Sequence, residues 1–120
     1  MDKNIRPIIV RGIVVKGDGI AGTLFGTPTA NMVLQNPFDL AAGVYAGSAT
    51  VDGDTYVAAV YFVDPKKKFE VHLLDFTGDL LGKTFDVRID QHISEHVAWE
   101  SEEQMRDKIA DDIRRIRAVR

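Results

Sequence analysis

Three stretches of the chain collect residues that could act together on a phosphate-bearing ligand. Gly17-Asp18-Gly19, followed by Gly22 and Gly26, forms a loop whose backbone can approach a ligand closely, because glycine has no Cβ and tolerates positive φ. Successive amides in such a loop can cradle phosphate. The spacing matches neither the G-x-x-x-x-G-K-[ST] loop nor a dinucleotide fingerprint, and it opens no helix, so an ordinary long hairpin loop competes with the phosphate reading. Pro28-Thr29-Ala30-Asn31 follows directly. In extended backbone Thr29 and Asn31 project to the same side, offering a hydroxyl and an amide oxygen. These are neutral hard oxygens suited to Mg2+, whose other positions water and phosphate can fill. A strand opened by Pro28, with its polar residues paired into the turn, explains the same tetrapeptide. In Glu70-Val71-His72, a strand would put Glu70, His72 and Leu74 on one face. There a carboxylate could take a proton from an attacking hydroxyl, or the pair could belong to an exposed sheet face.

The elements that must hold these residues can be read from hydrophobic period. Ile8 to Lys16 is β-branched and closes on Gly17-Asp18-Gly19, which predicts a strand ending in a loop that lasts to Pro28. Ala30 to Leu34 predicts a short strand. Gly43 to Val51 and Thr55 to Val63 flank Asp52-Gly53-Asp54, the strongest short hairpin signal. Phe69 to Phe76 and Thr84 to Ile89 complete about six strands, the last alternating Phe85, Val87 and Ile89 with polar residues. The period then changes. Met105, Ile109, Ile113 and Ile116 line one face of an amphipathic helix, with Ser101 as N-cap and Gln104 completing a capping box. Strands first and one helix last indicate an antiparallel barrel with a packed C-terminal helix rather than a parallel α/β fold.

Composition narrows the chemistry. One domain is expected of 120 residues. Without cysteine, thiolate metal sites, disulfides and a cysteine nucleophile are excluded. Asp2, Lys3 and Arg6 interrupt the N-terminus, so it lacks the apolar core of a secretory signal. No apolar run approaches membrane length, and a cytoplasmic location is expected. The net charge of −3, with mixed signs, does not suggest bulk nucleic-acid binding. Lys66-Lys67-Lys68 reads as a solvated loop, with an anion-binding patch as the less favoured alternative, and the arginines from Arg114 to Arg120 suit the negative end of a helix dipole.

Taken in order, GDGIAGTLFGTPTAN (Gly17 to Asn31), Gly43-Val44-Tyr45-Ala46-Gly47, EVHLLDF (Glu70 to Phe76) and Gly78-Asp79-Leu80-Leu81-Gly82 resemble the riboflavin kinase, or flavokinase, family. The resemblance runs from about Val10 to the C-terminal helix. It implies a mainly β fold, a six-stranded antiparallel Greek-key barrel capped by a helix. The expected layout is a single domain over 1–120, with an N-terminal extension at 1–7 and the helix at 101–119. The implied activity is ATP-dependent phosphorylation of riboflavin at its ribityl 5′-hydroxyl to give FMN, with riboflavin, FMN, ATP and ADP as partners. Thr29 and Asn31 would hold Mg2+, with Zn2+ or Mn2+ as alternatives, against the ATP phosphates. Gly17, Asp18, Gly19, Ile20, Ala21 and Gly22 would join them as nucleotide contacts. Glu70 would be the catalytic base, and Ser94 and Trp99 the flavin contacts, with sealing of the barrel under the helix as an equal alternative for Trp99. A monomer with no nucleic-acid or membrane partner is expected. The alternative is a barrel that binds flavin or nucleotide without catalysing.

The chain departs from the family pattern in places. Ile20-Ala21 stands where many members have Arg-Gly, and Thr27 where an apolar residue precedes the proline. Ile93-Ser94 replaces a leucine-arginine pair, with Trp99 at the place of an aromatic residue, and the connection from Val63 to Phe69 is short. Some bacterial relatives fuse this domain to an FMN adenylyltransferase; FAD synthesis is not expected of these 120 residues.

Overall fold

A computed structural model of the chain describes residues 4–16, 29–36, 38–66, 68–97 and 100–120. Gly17, Asp18, Gly19, Ile20, Ala21, Gly22 and Trp99, expected to contact nucleotide or flavin, lie outside the described residues. The strands are β1 (Asn4–Val15), β2 (Thr29–Leu34), β3 (Gly43–Val51), β4 (Asp54–Phe62), β5 (Phe69–Leu73) and β6 (Thr84–Ser94), followed by helix α1 (Glu102–Ala118). They close into a barrel in the order β1-β2-β5-β4-β3-β6, every neighbouring pair antiparallel. In this order β3, β4 and β5 are sequential neighbours and β2 returns beside β5, which is a Greek key.

Alternation along the strands fills the barrel. In β6, Phe85, Val87 and Ile89 are buried while Thr84, Asp86 and Arg88 are exposed, so every second side chain enters the core. Tyr45 stacks on Phe62 at 5.4 Å between ring centroids, and Phe62 on Phe69 at 5.8 Å. The β3–β4 hairpin is tighter than expected: Asp54 pairs with Val51, leaving a two-residue loop. Asp52 (φ 51°) and Gly53 (φ 88°) both take positive φ, as a type I′ turn requires. At Gly47 the register of β3 against β6 shifts, and an added Cβ would lie 1.8 Å from the Arg88 carbonyl oxygen. Glycine there lets the two backbones close the barrel.

Three strand boundaries differ from the periodicity by three residues or more. β1 begins at Asn4 instead of Ile8, because Asn4 pairs with Gln91 beyond a register shift; residues 4–7 thus belong to the barrel and not to an N-terminal extension. β6 continues to Ser94, where it pairs with Val44, so the strand expected to end at Ile89 is longer. β5 stops at Leu73 because the chain turns at Asp75, whose φ is +63°.

Ser101 caps α1, accepting from the Gln104 amide at 3.2 Å, while the Gln104 side chain accepts from the Glu100 amide at 2.9 Å. Glu102 and Glu103 sit in the first turn and Arg115 and Arg117 in the last, each sign opposing the helix dipole. The apolar stripe of α1 covers the outside of the barrel, where Val44, Ala46, Leu74, Ile93 and Ile116 form a second cluster. Arg117 clasps Asp75 through two bonds of 3.1 Å, and Arg120 pairs with Asp90.

Candidate functional site

The barrel register brings together residues far apart in the chain. Asn31 on β2 pairs with Glu70 on β5, and Thr29 with His72. Glu70 pairs in turn with Tyr61, Tyr61 with Val44, and Val44 with Ser94. A single row therefore crosses five strands, from Asn31 through Glu70, Tyr61 and Val44 to Ser94. Because Phe69, Val71 and Leu73 fill the barrel core, the intervening Glu70 and His72 point to its outer face. There they are 8% and 6% exposed, so the sheet face that could have met solvent is instead covered.

Two pockets of unlike chemistry lie on either side of the Asn31–Glu70 pair. A cavity of about 130 Å3 lies between the barrel and α1, with Glu70, His72 and Tyr61 on the sheet side and Met105, Ile109 and Ile113 on the helix side. A larger pocket of about 600 Å3 is lined by Lys16, Asn31, Gln35, Asn36, Lys66 and Lys68 together with apolar residues that include Val15, Met32, Val33, Leu34, Phe38 and Phe69. Lys68 joins the two, its Nζ lying 3.5 Å from Glu70 Oε1. The lysine run read as a solvated loop thus places Lys66 and Lys68 at the mouth of a pocket.

Polar groups converge around Glu70. Burial pushes the Tyr61 phenol up from its ordinary value, and the negative charge of Glu70 adds to this while Lys68 opposes it. The Tyr61 hydroxyl and His96 Nδ1 share a hydrogen bond at 2.9 Å, tying the β6–α1 connection to β4. At the far end of the row Ser94 Oγ donates to Asp112 Oδ1 at 2.7 Å, and Lys108 donates to both Asp112 Oδ2 and Ser94 Oγ, at 2.8 and 3.0 Å.

The Asn31 amide, next to a carboxylate on a neighbouring strand, has the donor chemistry of a Mg2+ ligand that leaves most positions to water and phosphate. Among the described residues no group of three His, Cys, Asp or Glu could hold a metal alone. Of the residues singled out in the sequence, the register brings Asn31, Glu70 and Ser94 into one row; Lys108 and Asp112, which lie beside Ser94, were not singled out. One signal was available: Asp112 falls three residues after Ile109 and four before Ile116, which puts a carboxylate on the apolar stripe.

Among the described residues no helix is long and apolar enough to cross a membrane. Residues 4–120 match the family model described as Flavokinase, riboflavin kinase. The chain is 35% identical to a bifunctional riboflavin kinase/FMN adenylyltransferase of Pseudomonas fluorescens, an alignment covering 95% of this chain and 39% of that one. It is 33% identical to the riboflavin kinase of Homo sapiens over 89% of this chain and 77% of that protein. A solved structure described as a macrolide-efflux protein from Streptococcus pneumoniae superposes with a TM-score of 0.81 at 30% identity, covering 92% of this chain and 38% of that one. The closed barrel and the match along nearly the whole chain agree: this chain belongs to the riboflavin kinase family.

Proposed function

We propose that the chain transfers the γ-phosphoryl group of ATP to the ribityl 5′-hydroxyl of riboflavin, giving FMN and ADP. The observation that carries this reading is the single cross-strand pair, Asn31 and Glu70, from which a helix-covered apolar pocket and a larger, lysine-bordered pocket diverge. A transfer between two dissimilar substrates needs that arrangement, since each must bind by its own chemistry while their reacting atoms meet. The flavin belongs under α1 and the nucleotide phosphates beside Lys66 and Lys68. The 130 Å3 cavity takes only part of a three-ring ligand, with the remainder extending through its open side.

Glu70 lies between them as general base. The riboflavin 5′-oxygen forms a bond to the γ-phosphorus, the bond from that phosphorus to the β,γ-bridging oxygen breaks, and the hydroxyl proton passes to the Glu70 carboxylate. Phosphoryl transfer depends mainly on positioning and charge neutralisation, and Lys68 supplies part of the positive charge while holding Glu70 in place. Thr29 and Asn31 are the residues that would hold Mg2+; when bound, the ion would neutralise phosphate charge. ATP, rather than another nucleoside triphosphate, is the proposed donor.

The test is FMN formation by the purified chain from riboflavin with MgATP and, in parallel, MgCTP. Glu70→Gln should lower kcat by about 10²–10⁴-fold and leave MgATP affinity unchanged. Normal turnover by that variant rejects Glu70 as base; tight flavin binding with no product from the unaltered chain favours the non-catalytic barrel.

A further inference from the structure

The cluster at the α1 end of the cross-barrel row is not used by the transfer just described. Asp112 is 6% exposed and lies on the otherwise apolar stripe of α1. Its two oxygens accept from Ser94 and Lys108, and Lys108 also donates to Ser94. Ser94 is thereby satisfied as donor and acceptor. The ammonium has three donors, of which two are committed, and the carboxylate has about four acceptor positions, of which two are taken. One donor and two acceptor positions are left side by side, on residues that line the same cavity as Glu70.

Such a pair complements a planar ligand edge on which a hydrogen-bond acceptor and a donor alternate. The imide edge of an isoalloxazine, carbonyl then N–H then carbonyl, has that pattern, whereas its dimethylbenzene edge has no polar group. Ser94, which anchors the cluster, is three strands from Glu70 in the row, roughly 14 Å along the curved sheet. A ligand whose chain terminus meets Glu70 can therefore direct its distal ring edge to the cluster. We infer that Lys108 and Asp112 determine specificity for the flavin imide, Lys108 donating to a ring carbonyl and Asp112 accepting from the ring N–H. This inference rests on the riboflavin kinase reading.

The experiment compares riboflavin with N3-methylriboflavin, which lacks the ring N–H, in the unaltered chain and in the double variant Lys108→Met/Asp112→Leu. Replacing both members of a buried pair by apolar groups is compatible with folding, and thermal melts check it. The unaltered chain should prefer riboflavin by about 10-fold or more in kcat/KM, as expected for a hydrogen bond to a charged acceptor. The double variant should accept the two compounds equally, with KM for MgATP unchanged. A folded double variant that keeps the preference overturns the inference, as does an unaltered chain that phosphorylates both compounds alike. An unaltered chain that neither binds nor phosphorylates riboflavin overturns the inference and the reading beneath it. If the double variant does not fold, Lys108→Gln decides: a raised KM for riboflavin alone supports the assignment. No change, or equal rises for both substrates, overturns it.

Discussion

Strand β5 is buried along its whole length, yet its two faces differ in chemistry. Phe69, Val71 and Leu73 enter the barrel core and join its apolar cluster. Glu70 and His72 are buried nearly as completely, but beside a cavity that Tyr61, His96, Lys108 and Asp112 also line. The inner face holds its position by removing carbon from water; the outer face uses that fixed strand to aim polar groups. Burial thus has two origins here. Closure of the barrel provides stability, and the docked helix provides a water-poor site in which charges interact strongly.

Neighbouring substitutions on β5 should separate the two origins. Glu70→Gln should take the largest toll on kcat and leave the melting temperature within a few degrees of the parent. Phe69→Ala should do the reverse, because it empties the space beside Phe62 and Phe38. Removing a buried Phe costs about 3–5 kcal/mol, a fall in Tm of roughly 4–8 °C per kcal/mol for a domain of about this size. Denaturant melts and single-turnover assays on both variants make the contrast. Equal loss of stability from the two would show that the outer face is structural.

The inner face was largely legible in the sequence and the outer face only in pieces. Alternation in Phe85, Val87 and Ile89 and the Asp52-Gly53 pair carry their own local physics, as does the Ser101 cap, and each fixed its element without tertiary information. Glu70 and His72 were legible as a pair on one face, but not whether that face met water, because this depends on where a helix almost thirty residues later docks. The adjacency of Asn31 to Glu70 depends on strand order and register, which are non-local. Lys66 and Lys68 read as solvated because lysine runs usually are; only the closure of β2 beside β5 puts them at a pocket. Ser94 was read as a departure from an arginine, and its neighbour Lys108 brings a cation to the same carboxylate from the helix.

Within the outer face, Lys68 distinguishes the two pockets. It borders the larger pocket and contacts Glu70 across 3.5 Å, so its loss should weaken the nucleotide side and spare the flavin side. Lys68→Gln should raise KM for MgATP about 10-fold, the scale of one hydrogen bond to a charged group, with little change in KM for riboflavin. Added salt should shrink the difference, since half-exposed charges are screened. A rise in both KM values would show that the pockets are not separable at Glu70.

The smallest expected effect sharpens the contrast between buried and exposed ion pairs on α1. Lys108–Asp112 is largely covered, whereas Arg117–Asp75 joins the helix end to the β5 turn in full contact with solvent. Hydrogen bonds from Arg117, and then its charge, hold the Asp75 carboxyl below its ordinary value. A carboxyl depressed in the folded state contributes stability above its unfolded pKa of about 3.9. That contribution is lost as pH falls through the folded value. Because the pair is exposed, solvent and salt screen it. Asp75→Asn should therefore lower Tm only slightly at pH 7 and low salt, and the gap from the parent should close on acidification or in high salt. Melts of both proteins from pH 7 downward measure it. A gap that widens with acid would mean that Asp75 is stabilised in its protonated form, and that the clasp on α1 owes nothing to charge.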